Sequence, residues 1–358
     1  MAASPRKYRT IIFFVVVNAL SLLCLWWVLR GIDLTKLAHD IEHLHWGWVS
    51  AAIASNLLSY VVQGWRWSLV LAPITPVPIW QSVQAIYVGL YANEVLPLRS
   101  GEIIRCYLQA RCSEIPLSVV LASALIERIF DGIWLIVALV VTIQQVDLPP
   151  VIESAGIFLA VLIFICGVLL AVAMYWREQA LDALLNARWF GWVHVLIKDL
   201  HLIGHSRYLY YAFFMSLPFL LLQVFPIYAA LHAHDGLKSY PMIAALTLAV
   251  ILRLNAVLPQ APGNLGTFQA ATILGLRLFR NDAVLPPPSI LRPRRRPRMG
   301  PFGEMAQGFS IILWAILTLP LLIGGFIAVA FTGMNLGEIH RVAHGSMKDR
   351  DSVPVERL

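Results

Sequence analysis

Hydrophobic residues occur along the chain in long runs separated by short polar stretches, without the strict alternation of a barrel strand. A helix that crosses a membrane needs about 20 mostly apolar residues, and eight segments approach that length. We therefore predict an all-α integral membrane protein with about eight hydrophobic segments. They are residues 11–29, 47–71, 79–97, 116–144, 152–175, 207–231, 240–258 and 305–332.

The composition supports this fold class. The 358 residues are 59% hydrophobic and 13% charged, whereas soluble domains are about 45–50% apolar and about 25% charged. Such a chain has too little polar surface to cover a water-soluble globule. The first run has no small-x-small cleavage site after it, so we expect it to stay as an anchor. The four cysteines, Cys24, Cys106, Cys112 and Cys166, form no CxxC pair, so we expect neither a disulfide framework nor a metal site.

The net charge of +7 is unevenly placed. Arg6, Lys7 and Arg9 precede the first segment and predict a cytoplasmic N-terminus. Residues 280–298 contain six arginines, within a Pro/Arg-rich loop at 283–301. This loop either holds anionic lipid or simply orients the chain. Both readings explain the basic charge without a nucleic-acid partner.

Residues 1–335 are predicted to form one polytopic transmembrane domain, followed by a polar tail at 336–358. Two further stretches, 33–45 and 178–205, mix Leu, Ile and Trp with charged residues and His at roughly helical spacing. This pattern is typical of helices that lie in the headgroup plane of a bilayer.

The motif N-x-V-L-P-x-x-x-G occurs twice, at 93–101 and at 255–263. Proline and glycine at these positions interrupt a helix. Backbone groups freed at membrane depth must be buried in protein or line a wet cavity. Paired interrupted segments in two halves of a chain are the sequence feature that points to a transporter's midplane site.

Three predicted crossings separate the two motifs, so a hairpin at the second would enter the membrane from the opposite face. This arrangement predicts an inverted repeat with two re-entrant helices, repeat 1 at about 79–145 and repeat 2 at about 240–332. The alternative is two tight kinks that help the bundle pack.

Several charges fall inside apolar segments. Glu127, Arg128 and Asp131 lie near the centre of the segment 116–144, at spacings that allow them to meet on one helix face. A charge at the bilayer centre costs at least about 2.5–3.5 kcal/mol on insertion scales. Three of them therefore require a polar interior or mutual pairing.

Two hypotheses account for these charges. In the first, Arg99, Arg105 and Arg253 bind a lipid phosphate, which a guanidinium matches with two parallel hydrogen bonds. The acids, including Glu102, would then balance the arginines, bind an amine headgroup or carry a coupling proton. In the second, Glu127 and its neighbours form a static network that holds the helices together.

Few features of the sequence indicate metal binding or enzyme activity. The pairs His39/His43, His201/His205 and His340/His344 have i, i+4 spacing, but none belongs to an HExxH motif. No hydrolase or nucleotide-binding signature is present. We expect no metal, no cofactor and no enzymatic reaction.

Three stretches in order resemble a known family: Asn93-Glu-Val-Leu-Pro-Leu-Arg-Ser-Gly-Glu-Ile-Ile-Arg105, Glu127-Arg-Ile-Phe-Asp131 and Leu258-Pro-Gln-Ala-Pro-Gly-Asn-Leu-Gly-Thr-Phe268. They are similar to the transmembrane domain of bacterial lysylphosphatidylglycerol synthase/flippases and to its stand-alone flippase-like relatives. The likeness covers about 10–335. It implies re-entrant helices around a lipid-headgroup cavity in a bacterial cytoplasmic membrane. The aminoacyltransferase domain of the full-length synthases is not found in these 358 residues, so lipid aminoacylation is not expected.

The resemblance implies a translocase that moves a polar-headgroup or isoprenoid-linked lipid between leaflets. Alternatives are a membrane-embedded enzyme with a carboxylate as general acid or base, and a non-transporting scaffold of a lipid-synthesis complex. The expected partners are membrane lipids (phospholipid, aminoacyl-lipid, polyprenyl or hopanoid cargo), a second copy of the chain or lipid-biosynthesis enzymes. The expected cavity residues are Asn93, Pro97, Arg99, Gly101, Glu102, Arg105, Glu127, Arg128, Asp131, Arg253, Asn255, Pro259, Pro262, Gly263 and Gly266.

Overall fold

The structure is a computed structural model that describes residues 34–95, 100–175, 206–256, 264–279 and 301–332. These ranges contain ten helices and no strand, which confirms the all-helical class for the described residues. The helices are α1 (Leu34–Glu42), α2 (Trp46–Leu71), α3 (Ile79–Val95), α4 (Gly101–Ser113), α5 (Leu117–Gln145), α6 (Pro150–Tyr175), α7 (Arg207–Ala233), α8 (Met242–Asn255), α9 (Thr267–Arg277) and α10 (Pro301–Thr332).

Most predicted segments coincide with a helix. The boundaries of α2, α5, α6, α7 and α10 differ from the predicted ones by at most four residues, and α1 falls in the predicted interfacial stretch. By length and composition, α7 and Phe302–Phe331 of α10 are long and apolar enough to cross a membrane. The segment 11–29, the stretch 178–205, the loop 283–301 and the tail lie outside the described residues.

Helix α2 lies at the centre of the bundle, where its most extensive contact is with α7. Pro226 of α7 has no N–H to donate to the carbonyl of Leu222, one turn earlier. The Ser55 hydroxyl of α2 donates to that carbonyl at 3.0 Å. The adjacent Asn56 amide donates to the Leu317 carbonyl of α10 at 2.9 Å. Two neighbouring polar residues thus join α2 to two proline-containing helices.

The first motif joins α3 to α4, which pack closely against each other. The side-chain oxygen of Asn93 accepts a hydrogen bond from the backbone N–H of Gly101 at 2.9 Å. A Cβ at Gly101 would collide with the carbonyl oxygen of Gly89 on α3. The first and last residues of the motif therefore bond to each other, and glycine is required where the two helices meet. Residues 96–99, with Pro97 and Arg99, lie outside the described residues.

The second motif joins α8 to α9, which also pack against each other. Asn255 ends α8, and Gly266 precedes α9 with a φ of 89°, a conformation that a residue with a side chain rarely adopts. The Gly266 N–H donates to the Gln269 side chain at 2.6 Å and so begins the helix. Residues 257–263, with Pro259, Pro262 and Gly263, lie outside the described residues.

Candidate functional site

Arg66 of α2 occupies the centre of the candidate site, and its side chain is fully buried. Its Nε and Nη2 donate to one oxygen of Glu127 at 3.3 and 3.0 Å. Its Nη2 also donates to Asp131 at 3.2 Å, and its Nη1 pairs with the other Asp131 oxygen. Nη1 further donates to the Ser216 hydroxyl at 2.8 Å. One guanidinium therefore joins two carboxylates of α5 to α7.

Arg105 of α4 extends the network. Its Nη1 donates to the second oxygen of Glu127 at 3.0 Å, and its Nε donates to Glu102 at 3.0 Å. Its guanidinium lies 4.7 Å from the centre of the Trp67 ring. Arg128 donates to both oxygens of Glu102, at 2.8 and 2.9 Å. The charges therefore alternate through Arg128, Glu102, Arg105, Glu127, Arg66 and Asp131.

Burial differs between the two ends of this network. The side chains of Arg66 and Glu127 are fully buried, whereas Glu102 and Arg128 are 43% and 44% exposed. Removing an ion from water costs several kcal/mol even after relaxation, so buried charges persist only when they are well paired. Arg66 and Glu127 are therefore buried together with their partners, and the network opens to the surroundings at Glu102 and Arg128.

Arg253 of α8 differs from the other arginines. Within the described part of the chain, no side-chain or backbone acceptor lies within hydrogen-bond distance of its guanidinium. The guanidinium groups of Arg253 and Arg66 lie 5.8 and 4.8 Å from the centre of the same Phe219 ring. A cavity of about 20 Å³ lies beside it, lined by Asp131, Trp134, Leu135, Ser216, Phe219, Leu220 and Arg253. This space suits one water molecule.

The structure brings six of the predicted site residues together: Glu102, Arg105, Glu127, Arg128 and Asp131 in the network, and Arg253 at the adjoining cavity. Asn93 and Gly101 instead hold the α3–α4 junction. Asn255 and Gly266 lie at the ends of α8 and α9. The predicted cluster is thus divided between charged residues and residues that shape the backbone.

Sequence reasoning missed Arg66, although its signal was present. Arg66 is the single charged residue in the segment 47–71. It follows Ser55, Ser59 and Gln63 at spacings of three and four residues, so all four lie on one face of α2. All four are buried. A polar stripe that ends in a lone arginine predicts a helix facing a polar interior.

Another group of titratable residues lies at the α7–α8 junction, outside the long helices. His234 is 3.9 Å from Asp40 of α1, and its burial lowers its pKa. Asp235 is exposed and accepts hydrogen bonds from Lys238 and His45, which lower its pKa. These contacts attach α1 and the start of α2 to the same end of the bundle.

No cluster of three or more His, Cys, Asp or Glu suited to a metal ion occurs among the residues described here. The rings of His39 and His43 stack at 4.0 Å. The pairs His201/His205 and His340/His344 lie outside the described residues. The absence of a metal therefore stays a prediction.

The profile of the family described as "Lysylphosphatidylglycerol synthase TM region" matches residues 12–286, most of the 358-residue chain. No curated protein and no solved structure matches significantly. The matched range contains both motifs and every charged residue of the network, and the chain belongs to the lysylphosphatidylglycerol synthase transmembrane-region family.

Proposed function

We propose that this chain is a lipid translocase that passes a polar headgroup between leaflets through the site around Arg66, while the hydrocarbon stays in the bilayer. The observation that supports the proposal most is a buried charge network next to Arg253, which has no partner among the described residues. The family match supports a lipid-related role in a membrane. Charges this deep are costly, and in membrane proteins they mark substrate or ion pathways.

We propose that the α3–α4 and α8–α9 pairs are re-entrant hairpins of an inverted repeat. The four helices have 17, 13, 14 and 11 residues, so at about 1.5 Å per residue each is shorter than the roughly 30 Å hydrocarbon core. Each pair has the same motif between its two helices. Rocking of one repeat against the other would expose the site to each leaflet in turn.

The carboxylates of Glu127 and Asp131 serve in this proposal to hold guanidinium groups. Both oxygens of each accept from an arginine. Protonating either would weaken pairs that offset the cost of burial. The geometry therefore favours downhill movement of lipid over coupling to a proton at these two residues.

A scaffold function is the second candidate, because a specific observation favours it. A scaffold should have its charged triplet fully paired and its cavity closed. The triplet is indeed paired, and the adjoining cavity has room for about one water. The same features belong to the closed state of a translocase. An enzyme is less favoured, since Glu127 and Asp131 bind one shared guanidinium and neither is free to act as general acid or base.

The expected setting is a bacterial cytoplasmic membrane, with a multi-pass chain and a cytoplasmic N-terminus. The positive charges before the first segment support this orientation. The partners would be membrane lipids, with a second copy of the chain or lipid-biosynthesis enzymes as further candidates.

Reconstitution into liposomes tests the proposal. Vesicles with a fluorescent phospholipid, aminoacyl-lipid or polyprenyl-linked probe are treated with an impermeant quencher, and the loss of inner-leaflet signal is followed. The wild type should move at least one probe faster than protein-free vesicles, and Arg253→Gln should slow it. Arg207→Gln is the matched control, because Arg207 is exposed at the start of α7.

Folding of each variant is checked by its elution volume in size-exclusion chromatography and by its thermal unfolding in detergent. If no probe moves faster than in empty vesicles, the translocase proposal is wrong and the scaffold becomes the better candidate. If folded Arg253→Gln transports like the wild type, transport does not pass through the site described here.

A further inference from the structure

The buried hydrophobic residues of the bundle form two large clusters. The first, which we call the α8–α9 core, joins α8 and α9 to parts of α2, α7 and α10, with Ala52, Val224, Leu248, Ile273 and Phe309 among its members. The second, which we call the α3–α4 core, joins α3 and α4 to parts of α2, α5 and α10, with Trp67, Ile86, Ile104, Val120 and Val329 among its members. The pair α3–α4 contributes nothing to the first core, and the pair α8–α9 contributes nothing to the second. The described bundle therefore has two separately packed parts.

Among the described helices, α2 and α10 enter both cores. Helix α2 packs in the α8–α9 core up to Ile53 and in the α3–α4 core from Tyr60 onward. Helix α10 packs in the α8–α9 core up to Leu317 and in the α3–α4 core at Ala328 and Val329. Rotation of one core against the other therefore has to bend both helices between these residues.

The crossing segment of α10 contains Pro320. Proline has no N–H to donate to the carbonyl one turn earlier, and sharp helix kinks occur mostly at proline. Beyond this residue α10 packs tightly on α3, since a Cβ at Gly325 would lie only 2.5 Å from the Cβ of Tyr91. Helix α10 is therefore weakest between the two cores and firmly held where it enters the second one.

The crossing segment of α2 has no proline, but its backbone hydrogen bonding is shared with a side chain. The Ser59 hydroxyl donates to the Asn56 carbonyl at 2.7 Å, which is the acceptor that the N–H of Tyr60 uses in a regular helix. Serine side chains that bond back to their own helix in this way often bend it. The Asn56 amide donates to the Leu317 carbonyl of α10 at 2.9 Å. The weak point of α2 is thus bonded to the last residue of α10 that packs in the α8–α9 core.

Helix α7 makes a third connection between the two parts. Near its start, Ala212 packs against Ile126 of α5 in a smaller cluster, and from Leu220 onward α7 belongs to the α8–α9 core. Pro218 lies between these two stretches. Each of the three connecting helices therefore has a weakened backbone ladder where it passes from one part to the other.

From these contacts we propose that the protein has a hinge formed by Ser59 of α2, Pro218 of α7 and Pro320 of α10, about which the α8–α9 core turns against the α3–α4 core. Hinges are a few residues that absorb the change in backbone angles while the packed regions on either side move as units. The Asn56–Leu317 hydrogen bond lies at the pivot, where displacement is smallest and the bond can persist.

The hinge is placed so that the turn changes the charged site. Arg66 lies on the part of α2 that packs in the α3–α4 core, whereas Arg253 lies on α8. The cavity beside Arg253 has walls from α5, α7 and α8. A turn of the α8–α9 core would enlarge this cavity without breaking the ion pairs of Arg66 with Glu127 and Asp131. The inference concerns motion alone and holds for a scaffold as well as for a translocase.

Distances between pairs of spin labels, measured by double electron–electron resonance, test the hinge. The full chain is labelled in a cysteine-free background in nanodiscs. The pair Ile103→Cys of α4 and Leu274→Cys of α9 reports across the two cores. The pair Ile79→Cys and Ile103→Cys reports within the α3–α4 part, and Trp46→Cys with Leu274→Cys reports within the α8–α9 part. All four side chains are exposed.

The pair across the cores should give a distance distribution at least about twice as wide as either pair within one part. The double variant Pro218→Ala/Pro320→Ala should narrow it, because alanine restores the missing backbone donors. Ser59→Ala should narrow it by less, since it removes one competitor for the Asn56 carbonyl. Pro150→Ala is the matched control and should change nothing, because Pro150 is the first residue of α6, where the helix uses no N–H.

A distribution across the cores that is as narrow as those within each part overturns the inference. A wide distribution that the folded double proline variant leaves unchanged also overturns it, because the bend would then lie elsewhere. If the double variant aggregates, Ser59→Ala decides in its place, and an unchanged width refutes the hinge. Wide distributions within either part would show that the cores do not move as units. None of these outcomes depends on whether the protein transports lipid.

Discussion

Replacing Arg66 by methionine should be among the most destabilising single changes in the described part of this chain. Methionine keeps much of the volume and removes the guanidinium. Glu127, which is fully buried, and Asp131, whose side chain is 11% exposed, would then lose their shared cation. Removing one partner of a buried ion pair costs about 3–5 kcal/mol, because the remaining charge is left uncompensated.

The loss should be smaller when the stranded charges are also removed. Arg105 still pairs with one oxygen of Glu127 at 3.0 Å, so Asp131 suffers most from the change. The double variant Arg66→Met/Asp131→Asn should therefore recover a substantial part of the 3–5 kcal/mol. Arg66→Lys keeps the charge but cannot reproduce the forked donor geometry, so an intermediate loss is expected.

Thermal unfolding in detergent and in nanodiscs, followed by tryptophan fluorescence, measures these differences. Arg207→Met is the control, since it makes the same side-chain change at an exposed position. The reasoning fails if Arg66→Met unfolds at the same temperature as the wild type. It also fails if the double variant is as unstable as the single one, because the cost would then come from packing and not from stranded charge.

Three further changes test the rest of the structure by the same unfolding measurement. Gly101→Ala should lower the free energy of unfolding by more than about 2 kcal/mol, because its Cβ would meet the Gly89 carbonyl. Gly47→Ala is the control and should be tolerated, since the space around its Cβ is open. Equal losses of stability in the two variants would contradict the close approach of α3 and α4. Asn93→Ala should cost about 1 kcal/mol for the lost bond to the Gly101 N–H, and an unchanged stability would show that this bond contributes nothing. Burial lowers the pKa of His234, so the folded state binds fewer protons than the unfolded chain. The stability should therefore fall as the pH drops below about 6.5. His234→Gln should flatten this pH dependence, and an unaltered pH profile in the variant would refute the prediction.

The sequence predicted the charged residues of the site better than their arrangement. The i, i+4 and i, i+3 spacings on α5 were sufficient to place Glu127 and Asp131 together, and Arg128 does lie 3.8 Å from Asp131. The partner that pairs with both acids is Arg66, from a helix about 60 residues earlier. Helical spacing carries no information about which face of another helix packs there, so this pairing could not be predicted from the spacing alone.

The first motif shows the same limit. Its proline and glycine predicted an interruption of the helix between 79–97 and the following stretch, and α3 does end at Val95 before α4 begins at Gly101. The sequence did not predict that Asn93 would bond to Gly101 across the interruption. That bond depends on the angle between two helices, which packing determines. The motif therefore indicated where the chain turns but not why its first residue is asparagine.

In the proposed translocase, the unequal attachment of the helix pairs α3–α4 and α8–α9 to α5 indicates which pair moves. Helix α4 is joined to α5 by the Arg105–Glu127 and Arg128–Glu102 ion pairs. Helix α8 meets α5 in an apolar cluster that contains Ala138 and Val250. Ion pairs in a buried site resist separation more than apolar contacts that can slide, so we expect α8 and α9 to move while α4 stays with α5.

A thiol crosslinker in a cysteine-free background tests this expectation. Linking Ala138→Cys of α5 to Val250→Cys of α8 should stop lipid movement in liposomes. Linking Leu108→Cys of α4 to Ala124→Cys of α5, which belong to one buried cluster, should leave it intact. With a cleavable linker, a reducing agent should restore transport where the link only restrained the helices, whereas a misfolded protein would stay inactive. If the α4–α5 link stops transport and the α8–α5 link does not, the movement has been assigned to the wrong helix pair, and the ion pairs around Arg105 must break during each cycle.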